Sequence, residues 1–466
     1  MASSLSVILS SAAAALRVHQ AATQVTAHNI SNALTEGYSR QTVELTASPP
    51  VWTEHGWLGT GVQFSDIRRA RDTLLDITFR RETTSASGHR LRERFLSQIE
   101  AALAEPGETG LGSVLDAFWS AWSDLANNPT SASAREIVRE RGRQLADHLN
   151  RLSNVLDATR QLAVAHLEDV VARVNSIARE LASLNGQIIA AEAAGHVAAD
   201  LRDARDRLLD ELASYAEIQV VERPNGGVGA AVGGVLLVDD AVAIELTTQS
   251  TGGSWSILTA GGKPVELQDG ELGAVIELLN VDLPSLRNQL DNLARAIVKG
   301  VNDLHTTGVN PLGMTGIRFF DDQGGVLASV TAANIALSAE VEADAQAIAA
   351  GSGGPSGEYQ AGANDIALRL SQLRNWTDAT YLGNTTAGEY YAQIVASVGL
   401  AVATAADSAT IHETLASNVD ARRASVSGVS TDEELIRLSG HQAAYAAAAK
   451  VVAAVDEMLR TLLAIA

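Results

Sequence analysis

The two ends of this 466-residue chain are both alanine-rich, almost free of helix breakers and spaced like amphipathic helices. Residues 1–33 contain neither proline nor glycine, and residues 431–466 contain glycine only at position 440. Their apolar residues recur every three or four positions, a repeat that is buried against another helix. The sequence therefore predicts terminal helices that pair with each other or with neighbouring subunits. The predicted interface residues are Leu5, Ile8, Leu9, Ala12 and Leu16 at the start, and Leu435, Leu438, Gln442, Tyr445, Ala449, Val452, Leu459 and Leu462 at the end.

Charge and composition exclude several functional classes. The formal net charge of −21 argues against binding to nucleic acid or to an anionic membrane, because both need clustered Lys and Arg. Cysteine is absent, which rules out disulfides, zinc sites built on thiolates and thiol nucleophiles. We therefore expect neither nucleic acid nor a membrane among the partners.

The apolar run near the start does not read as a cleaved signal peptide. No Lys or Arg precedes Arg17, and Ser10 and Ser11 interrupt the apolar residues. No stretch approaches the ~18–20 uninterrupted apolar residues of a membrane span. We expect a chain that is exported without a cleaved signal peptide.

Proline spacing and hydrophobic periodicity predict the domain organisation. A strict three-four alternation over 167–188 predicts a long helix with a coiled-coil-like seam, flanked by shorter helices at 111–125 and 201–215. From 217 to about 266, β-branched runs alternate with glycine-rich turns, and a helix returns at 283–304. The predicted fold is mainly α with an inserted β-rich domain, and both chain ends build a long coiled-coil-like helical bundle.

Three domains follow from these patterns. The terminal helices 1–33 and 431–466 form an axial domain, 34–215 with 356–430 form a long helical domain, and 216–355 form the β-rich insertion with its returning helix. Because the insertion lies midway along the chain, we expect the termini at one end of the molecule and the β-rich domain at the other.

No set of residues has catalytic or metal-binding spacing. The segment that begins with His412 and Glu413 lacks the second histidine of a metalloprotease helix. The glycines at 226–229 have Val232 where a dinucleotide loop needs its third glycine, so a turn between strands is the better interpretation. We predict no enzymatic activity, no cofactor and no metal.

Residues 27–41 span the end of the first predicted helix and the segment after it, and they run Ala-His-Asn-Ile-Ser-Asn-Ala-Leu-Thr-Glu-Gly-Tyr-Ser-Arg-Gln. This string closely resembles the N-terminal signature of the bacterial flagellar axial proteins, the rod, hook and hook-associated family, although Glu36 stands where members usually carry proline. Asn29 and Asn32 lie one turn apart near a helix end, where amides can satisfy free backbone groups, and Gly37 can supply a turn with positive φ. The signature residues are Asn29, Ile30, Asn32, Gly37, Tyr38, Arg40 and Gln41.

Two further regions resemble the same family. Residues 427–435 and 442–450 look like its closing motif, with His441 where an aromatic residue commonly stands. Within the family, the FlgK group of hook-associated proteins fits best, because residues 56–62 and 200–212 resemble its early region and the helix that enters its middle domain.

The resemblance implies a structural adaptor that joins the flagellar hook to the filament. Its expected place is extracellular, at the distal end of the hook, after export through the flagellar type III apparatus. The implied partners are hook subunits, a second junction protein on the filament side, copies of the chain itself in a ring, and an export chaperone.

Three alternatives remain open at this point. A hook or rod subunit shares the terminal motifs but self-assembles into tubes. A secreted coiled-coil adhesin requires the N-terminal signature to be a coincidence, and a flagellar-associated hydrolase requires a catalytic set that the sequence does not show.

Overall fold

The computed structural model describes residues 2–53, 56–103, 107, 110–193, 195 and 197–465. The helices are α1 (Ala2–Ser31), α2 (Thr73–Leu103), α3 (Leu111–Asn127), α4 (Ala132–Glu192), α5 (Ala199–Tyr215), α6 (Gly270–Glu277), α7 (Leu283–His305), α8 (Ala339–Ala343), α9 (Asp365–Gln372), α10 (Ala387–Ser427) and α11 (Thr431–Ile465). The strands are β1 (Gln41–Ala47), β2 (Val51–Thr53), β3 (Gly56–Leu58), β4 (Val62–Arg69), β5 (Ile218–Glu222), β6 (Val228–Val232), β7 (Val235–Asp239), β8 (Val242–Ala243), β9 (Leu246–Thr251), β10 (Ser254–Thr259) and β11 (Pro264–Val265). Long helices at both ends and a small β-rich region between them confirm the predicted fold class.

Helix α4 is the spine of the molecule. It has 61 residues, which at 1.5 Å per residue gives a length of about 90 Å. The side chain of Ser131 caps its start by accepting a hydrogen bond from the N–H of Ala134. The predicted seam is confirmed, since Leu167, Val174 and Leu181 are all fully buried.

Helices α2 and α10 run antiparallel beside this spine. Near one end of the pair, the hydroxyl of Tyr391 donates to the carbonyl of Leu103 at 3.1 Å. Near the other end, Arg423 bonds Asp76. The pairing explains how segments more than 280 residues apart in sequence build one helical bundle.

The β-rich region contains two antiparallel sheets, one of four strands in the order β5-β6-β7-β8 and one of three in the order β11-β10-β9. They pack on α4, where the amide nitrogens of Asn175 and Asn185 donate to the carbonyls of Leu246 and Val228, each at 2.9 Å. Asn185 is fully buried in the seam of α4. One buried and one half-buried amide on α4 therefore bind the two sheets to it.

The expectation that the β-rich region lies at the opposite end from the chain termini is wrong. Arg205 of α5 donates to the carbonyl of Gly226 between β5 and β6 at 2.8 Å, and Asp203 on the same helix accepts from the N–H of Ser39, near the chain start. The strands follow α5 after a connection of two residues, and short connections keep consecutive elements adjacent. The sheets therefore lie beside α5.

The opposite end of α4 carries the loop-rich segment 306–386. Arg135, near the start of α4, donates to the carbonyl of Ile348 at 3.1 Å, and Asn150 donates to the carbonyl of Ala332 at 2.9 Å. The segment is held mainly by such backbone contacts and by short elements, as its Gly- and Asp-rich sequence predicts.

Strands β1 to β4 lie within residues 34–215, where the sequence analysis placed only a helical domain. Strand β1 pairs antiparallel with β4, and β2 pairs with β3 in a hairpin between them. The strands are short and mostly half-exposed, so their alternation is weak and their pairing partners lie some 20 residues away.

The C-terminal helical stretch is unusually apolar for its exposure. By length and composition alone, the stretch Ala387–Thr461 contains an 18-residue window that could cross a membrane, with a mean hydropathy of 1.6. Only 22% of that window is buried. Uncovered apolar surface of this kind is typical of an interaction site.

An aromatic cluster closes the core at the loop-rich end. Trp122 and Phe319 are fully buried with ring centroids 5.3 Å apart, and Phe118 lies 5.7 Å from Phe319. His305 is also inside this cluster, 5.7 Å from Phe319. Its Nδ1 contacts the carbonyl of Ile317 at 2.7 Å, and its Nε2 contacts the N–H of Ala349 at 3.0 Å.

Replacing Trp122 with alanine should lower the free energy of unfolding by about 3–5 kcal/mol, because it removes a fully buried aromatic side chain. Urea denaturation followed by circular dichroism measures the change. The matched control is Trp57→Ala, since that side chain is 71% exposed and its loss should cost less than about 1 kcal/mol. Equal losses in the two variants would contradict the assignment of this core.

The buried His305 should make stability fall on acidification. Burial lowers the pKa of His305 from 6.5 to about 4, although its bond to the Ile317 carbonyl acts in the other direction. His305 is therefore protonated below pH ~6.5 in the unfolded chain but only below pH ~4 in the folded chain. Within this window, protonation of His305 in the unfolded chain should lower the free energy of unfolding by up to about 1.4 kcal/mol for each pH unit of acidification.

The comparison of wild type with His305→Gln at several pH values isolates this contribution, because glutamine retains one donor and one acceptor but does not titrate. Between pH 6.5 and 4, the variant should lose less stability than wild type. Parallel pH profiles would show that His305 does not titrate as described.

Candidate functional site at the base of the terminal helices

The side chain of Asn29 connects both chain ends. It is 1% exposed. Its Nδ2 donates to the carbonyl of Gln41 at 2.9 Å and to the carboxylate of Glu434 at 3.0 Å. Its Oδ1 accepts from the hydroxyl of Tyr38 at 2.7 Å and from the N–H of Gln41 at 2.9 Å. All four hydrogen-bonding positions of the amide are used, so α1, the loop after it and the start of α11 are held as one unit.

The loop between α1 and β1 turns as the signature predicts. The side chain of Asn32 donates to the carbonyl of His28 at 3.1 Å, and the backbone N–H of Asn32 donates to the same carbonyl at 3.0 Å, at the end of α1. Gly37 has φ +71°, and a Cβ there would lie 2.5 Å from the side chain of Arg207. Both the backbone conformation and the close approach of Arg207 favour glycine at this position.

Helix α5 holds this loop from the other side. The carboxylate of Asp200 accepts from the side chain of Gln41 at 2.7 Å, and that of Asp203 accepts from the N–H of Ser39 at 2.9 Å. The N-terminal signature and the motif at 200–212, read separately in the sequence, are therefore two halves of one contact. Burial and the charges of Asp200, Asp203 and Glu434 raise the pKa of the enclosed Tyr38.

Eight charged side chains meet directly behind the loop, and we call them the arginine–aspartate cluster. Its members are Arg69, Arg71, Arg80 and Arg423 with Asp76, Asp203, Asp206 and Asp210. Four positive and four negative charges balance. They come from β4, the short connection after it, the first part of α2, α5 and the end of α10.

The cluster is compact and poorly exposed. Arg69 bonds Asp203 at 2.8 Å and Asp206 at 2.7 Å through one nitrogen, and Arg71 bonds Asp206 at 3.2 Å. Burial acts to raise the pKa of Asp206, but the charges of Arg71 and Arg69 outweigh it and hold that pKa below its usual value. Burial likewise acts to lower the pKa of Arg71, and its bond to Asp76 together with the nearby aspartates raises it instead.

Arg423 ties the end of α10 into this cluster. It bonds Asp76 of α2 at 2.8 Å and Asp210 of α5 at 2.6 Å. Its guanidinium lies 4.3 Å from the ring centroid of Phe79, a cation–π contact. Four residues later, the carbonyl of Ser427 accepts from the N–H of Arg40. The chain thus enters the terminal helix α11 from a fixed position.

A cleft of about 600 Å³ opens beside the cluster, between Gly37, Arg207 and Arg423. Of the charged side chains that line it, Asp76 and Asp210 are both paired with Arg423. Among the described residues, no group of three or more His, Asp or Glu side chains is placed to hold a metal ion.

The terminal helices α1 and α11 pack antiparallel. Asn29, near the end of α1, bonds Glu434 at the start of α11, and the rings of His19 and His441 lie 5.7 Å apart further along the pair. His441, which stands where an aromatic is usual, thus still packs as a ring. Burial, His19 and Arg437 lower its pKa.

The predicted interface residues divide into two sets. Ala12 is buried, and the half-buried members are Leu5, Leu9, Leu16, Leu438, Val452 and Leu459. The exposed members are Ile8, Leu435, Gln442, Tyr445 and Ala449. The side chain of Leu462 lies outside the described residues. The pairing of α1 with α11 therefore accounts for only part of the predicted apolar surface.

Sequence reasoning missed several residues of this site. Val18, Ala22 and Val25 are buried in α1 at a spacing of four and three. Val18 comes two positions after Leu16, so this stripe lies on a different face of the helix from the predicted one. The acidic residues of α5 also carried a signal, because Asp200, Asp203, Asp206 and Asp210 recur every three or four positions and so share one helix face. Nothing in the sequence pointed to their arginine partners.

The remaining signature residues contribute less. Ile30 is half-buried. Arg40 lies 3.7 Å from the carboxylate of Glu433, so this pair is a weak link between the loop and α11.

Replacing Arg423 with alanine should lower the free energy of unfolding by about 3–5 kcal/mol, because the cluster is left with three arginines for four poorly exposed carboxylates, although Asp76 keeps Arg71 and Asp210 keeps Arg80. Thermal and urea denaturation measure the loss. Arg460→Ala is the control, since Arg460 is 72% exposed and pairs only with Asp456 on its own helix. Its removal should change stability by less than about 0.5 kcal/mol.

Comparison with known proteins identifies similar chains. A family model described as the flagellar hook-associated protein FlgK helical domain matches residues 96–320, and one described as the flagellar basal body rod FlgEFG protein C-terminal matches residues 422–465. Flagellar hook-associated protein 1 of Bacillus subtilis (strain 168) is 30% identical over 500 aligned residues, covering 97% of this chain and 96% of that protein.

More distant relatives agree. Flagellar hook-associated protein 1 of Salmonella typhimurium is 28% identical and covers 68% of this chain, which spans 59% of that protein. The structure of the flagellar hook junction protein FlgK from Burkholderia pseudomallei superposes with a TM-score of 0.65 at 17% identity, covering 75% of this chain and all of that one. This last likeness shows a shared fold.

Proposed function

Because the chain belongs to the family of flagellar hook-associated protein 1, FlgK, we propose that it joins the flagellar hook to the filament and assembles through its paired terminal helices. The family places the protein in the flagellum as a structural, hook-associated component. The observation that carries the finer proposal is the antiparallel α1–α11 pair, which leaves apolar side chains uncovered. In a monomer this apolar surface stays exposed to water, whereas in a ring neighbouring subunits would bury it.

The exposed residues of the pair support assembly with neighbours. Leu435 is 53% exposed, Ile436 74% and Tyr445 43%, all on α11. They are on the outside of the pair rather than between its helices. Lateral contact with further copies would bury them at about 25 cal/mol per Å² of apolar surface.

The arginine–aspartate cluster and the Asn29 network support a fixed joint. Together they hold the terminal pair at a defined angle to the α2–α4–α10 bundle. An adaptor between two tubes needs such a joint, because each subunit must present the same surface to the next.

The proposed partners follow from this role. They are copies of the chain in a ring, hook subunits on one side, a second junction protein on the filament side and an export chaperone before assembly. The proposed location is extracellular, at the distal end of the hook, after type III export. The proposal includes no catalysis, nucleic acid or membrane.

One alternative has an observation in its favour. The match of residues 422–465 to the rod-protein C-terminal model fits a hook or rod subunit equally well. The match to the hook-associated helical domain at 96–320 favours the adaptor. The adhesin hypothesis needs the N-terminal signature to be a coincidence, which alignment over 97% of the chain contradicts.

Mixing the purified chain with isolated hooks stripped of their junction proteins tests the proposal. Electron microscopy should show a short cap confined to the distal hook end. Tubes that grow from the chain alone would instead indicate a hook or rod subunit, and bare hooks would refute the junction role.

Placing a charge in the terminal pair should abolish capping and leave the bundle folded. Leu9→Asp and Leu459→Asp each put a carboxylate at a half-buried position between or beside the terminal helices. Cap counts per hook should fall to background, while urea denaturation monitored at the tryptophans should match wild type. Leu312→Asp, at a 53% exposed site in the loop-rich segment, is the control and should still cap.

If Leu9→Asp or Leu459→Asp destabilised the monomer as much as Trp122→Ala, the terminal helices would belong to the monomer core. That result would count against a role in assembly.

A further inference from the structure

The β2–β3 hairpin carries two exposed tryptophans. Trp52 and Trp57 face each other across the hairpin, with ring centroids 5.4 Å apart and an angle of 72° between the rings. They are 65% and 71% exposed, and the flanking Val51 and Leu58 are 45% and 43% exposed. This short hairpin therefore exposes four large apolar side chains to solvent.

The hairpin is anchored beside the terminal helices. At its base, the N–H of Ser48 donates to the carbonyl of Gly61 at 2.9 Å, and the hydroxyl of Thr60 donates to the carbonyl of Pro49 at 2.7 Å. Gly61 has φ +100° and approaches Ser11 of α1 so closely that a Cβ would lie 2.5 Å from the Ser11 hydroxyl. The tryptophans are therefore presented from a defined place next to α1.

Such a pair has little value inside the monomer. The edge-to-face contact contributes little to stability, and most of each indole remains in water. Tryptophan is, however, the residue type most enriched among the few that dominate binding energy at protein interfaces. The hairpin has the composition of a docking element.

A matching surface exists on α11 of the same chain. Its uncovered side includes Ile436, Val451 and Met458, which are 74%, 43% and 45% exposed. Between residues 438 and 455, a window that contains Val451 but not Ile436 or Met458, Lys450 is the only Asp, Glu, Lys or Arg. Glu54 is the only one between residues 48 and 61. Since 19% of all residues in the chain carry such charges, both surfaces are unusually free of them.

We propose that the β2–β3 hairpin of one subunit docks on the exposed apolar face of α11 of the next copy in the ring. The two surfaces carry few charges and lie on or beside the same terminal pair, and neither is covered by the other within one chain. A contact between two different patches is heterologous, and such contacts close into rings when the rotation between subunits permits. The inference rests on the proposed ring and names the element that links its members.

Engineered cysteines test this contact directly, because the chain has none of its own. One population carries Gly59→Cys beside the tryptophans, and a second, differently tagged population carries Ala447→Cys on α11; both positions are exposed. The two are mixed, assembled on stripped hooks and treated with a short bismaleimide. The expected product is a cross-linked dimer that contains both tags, because the cysteine of Gly59→Cys in one chain is joined to that of Ala447→Cys in the other.

Two controls make the result specific. Adding Trp52→Ser and Trp57→Ser to the Gly59→Cys chain should lower the yield at least about tenfold, as expected for loss of interface hot spots. Pairing Gly59→Cys with Ala132→Cys, an exposed site at the far end of α4, should give no product. If Gly59→Cys itself prevents capping, Pro50→Cys on the other arm replaces it.

Three outcomes would overturn the inference. The first is a cross-link within a single chain that carries both cysteines, and the second is a cross-link from Gly59→Cys only to a hook subunit. The third is a cross-linking yield that does not change when Trp52 and Trp57 are replaced. If caps form on hooks but no cross-link appears, the docking contact is wrong and the junction role stands. If wild-type protein forms no caps, both proposals fail.

Discussion

Burial of ionised side chains at one place is the constraint on which the arrangement of this molecule depends. Taking charges out of water is costly, and the cost is offset only where each charge meets partners in good geometry. The arginine–aspartate cluster meets this condition because β4, α2, α5 and α10 each contribute at least one member. None of these elements can shift alone without leaving a charge unpaired. The buried amide of Asn29 constrains the loop in front of the cluster in the same way. All four of its hydrogen bonds can form only when both chain ends are in place.

This joint separates two kinds of packing. On one side, the α2–α4–α10 bundle buries large side chains such as Trp122 and Leu167 completely. On the other, α1 and α11 pack as a pair of helices with small residues between them and apolar residues outside. A two-helix pair buries too little surface to be stable alone, so it depends on the joint and on neighbouring subunits. The well-packed bundle that stabilises the chain therefore lies on one side of Asn29, and the terminal helices with apolar surface available for assembly lie on the other.

Elements with strong local periodicity were predicted well. The helices at 111–125, 167–188, 201–215 and 283–304 were all found, because a three-four repeat is written in consecutive residues. Weak or non-local patterns were not. Strands β1 and β4 pair across some 20 residues, and the position of the sheets beside α5 depends on the short connection after Tyr215. In the candidate site, the sequence identified the residues that resemble the family signature but not Arg69, Arg71, Arg80 and Arg423. Apart from Arg71–Asp76, the ion pairs that these arginines make within the cluster join residues 130 or more positions apart and leave no local trace.

The sequence by itself determined the helical class, the long central helix, the apolar stripes of both termini and, through the signature residues, the family. These properties depend on residue spacing and on short motifs. Only the tertiary structure decided that the signature loop, the α5 motif and the end of α10 form one site, and which terminal residues are left uncovered. That outcome depends on which distant segments can satisfy each other's charges and amides, and a contact of this kind exists only once the chain has folded.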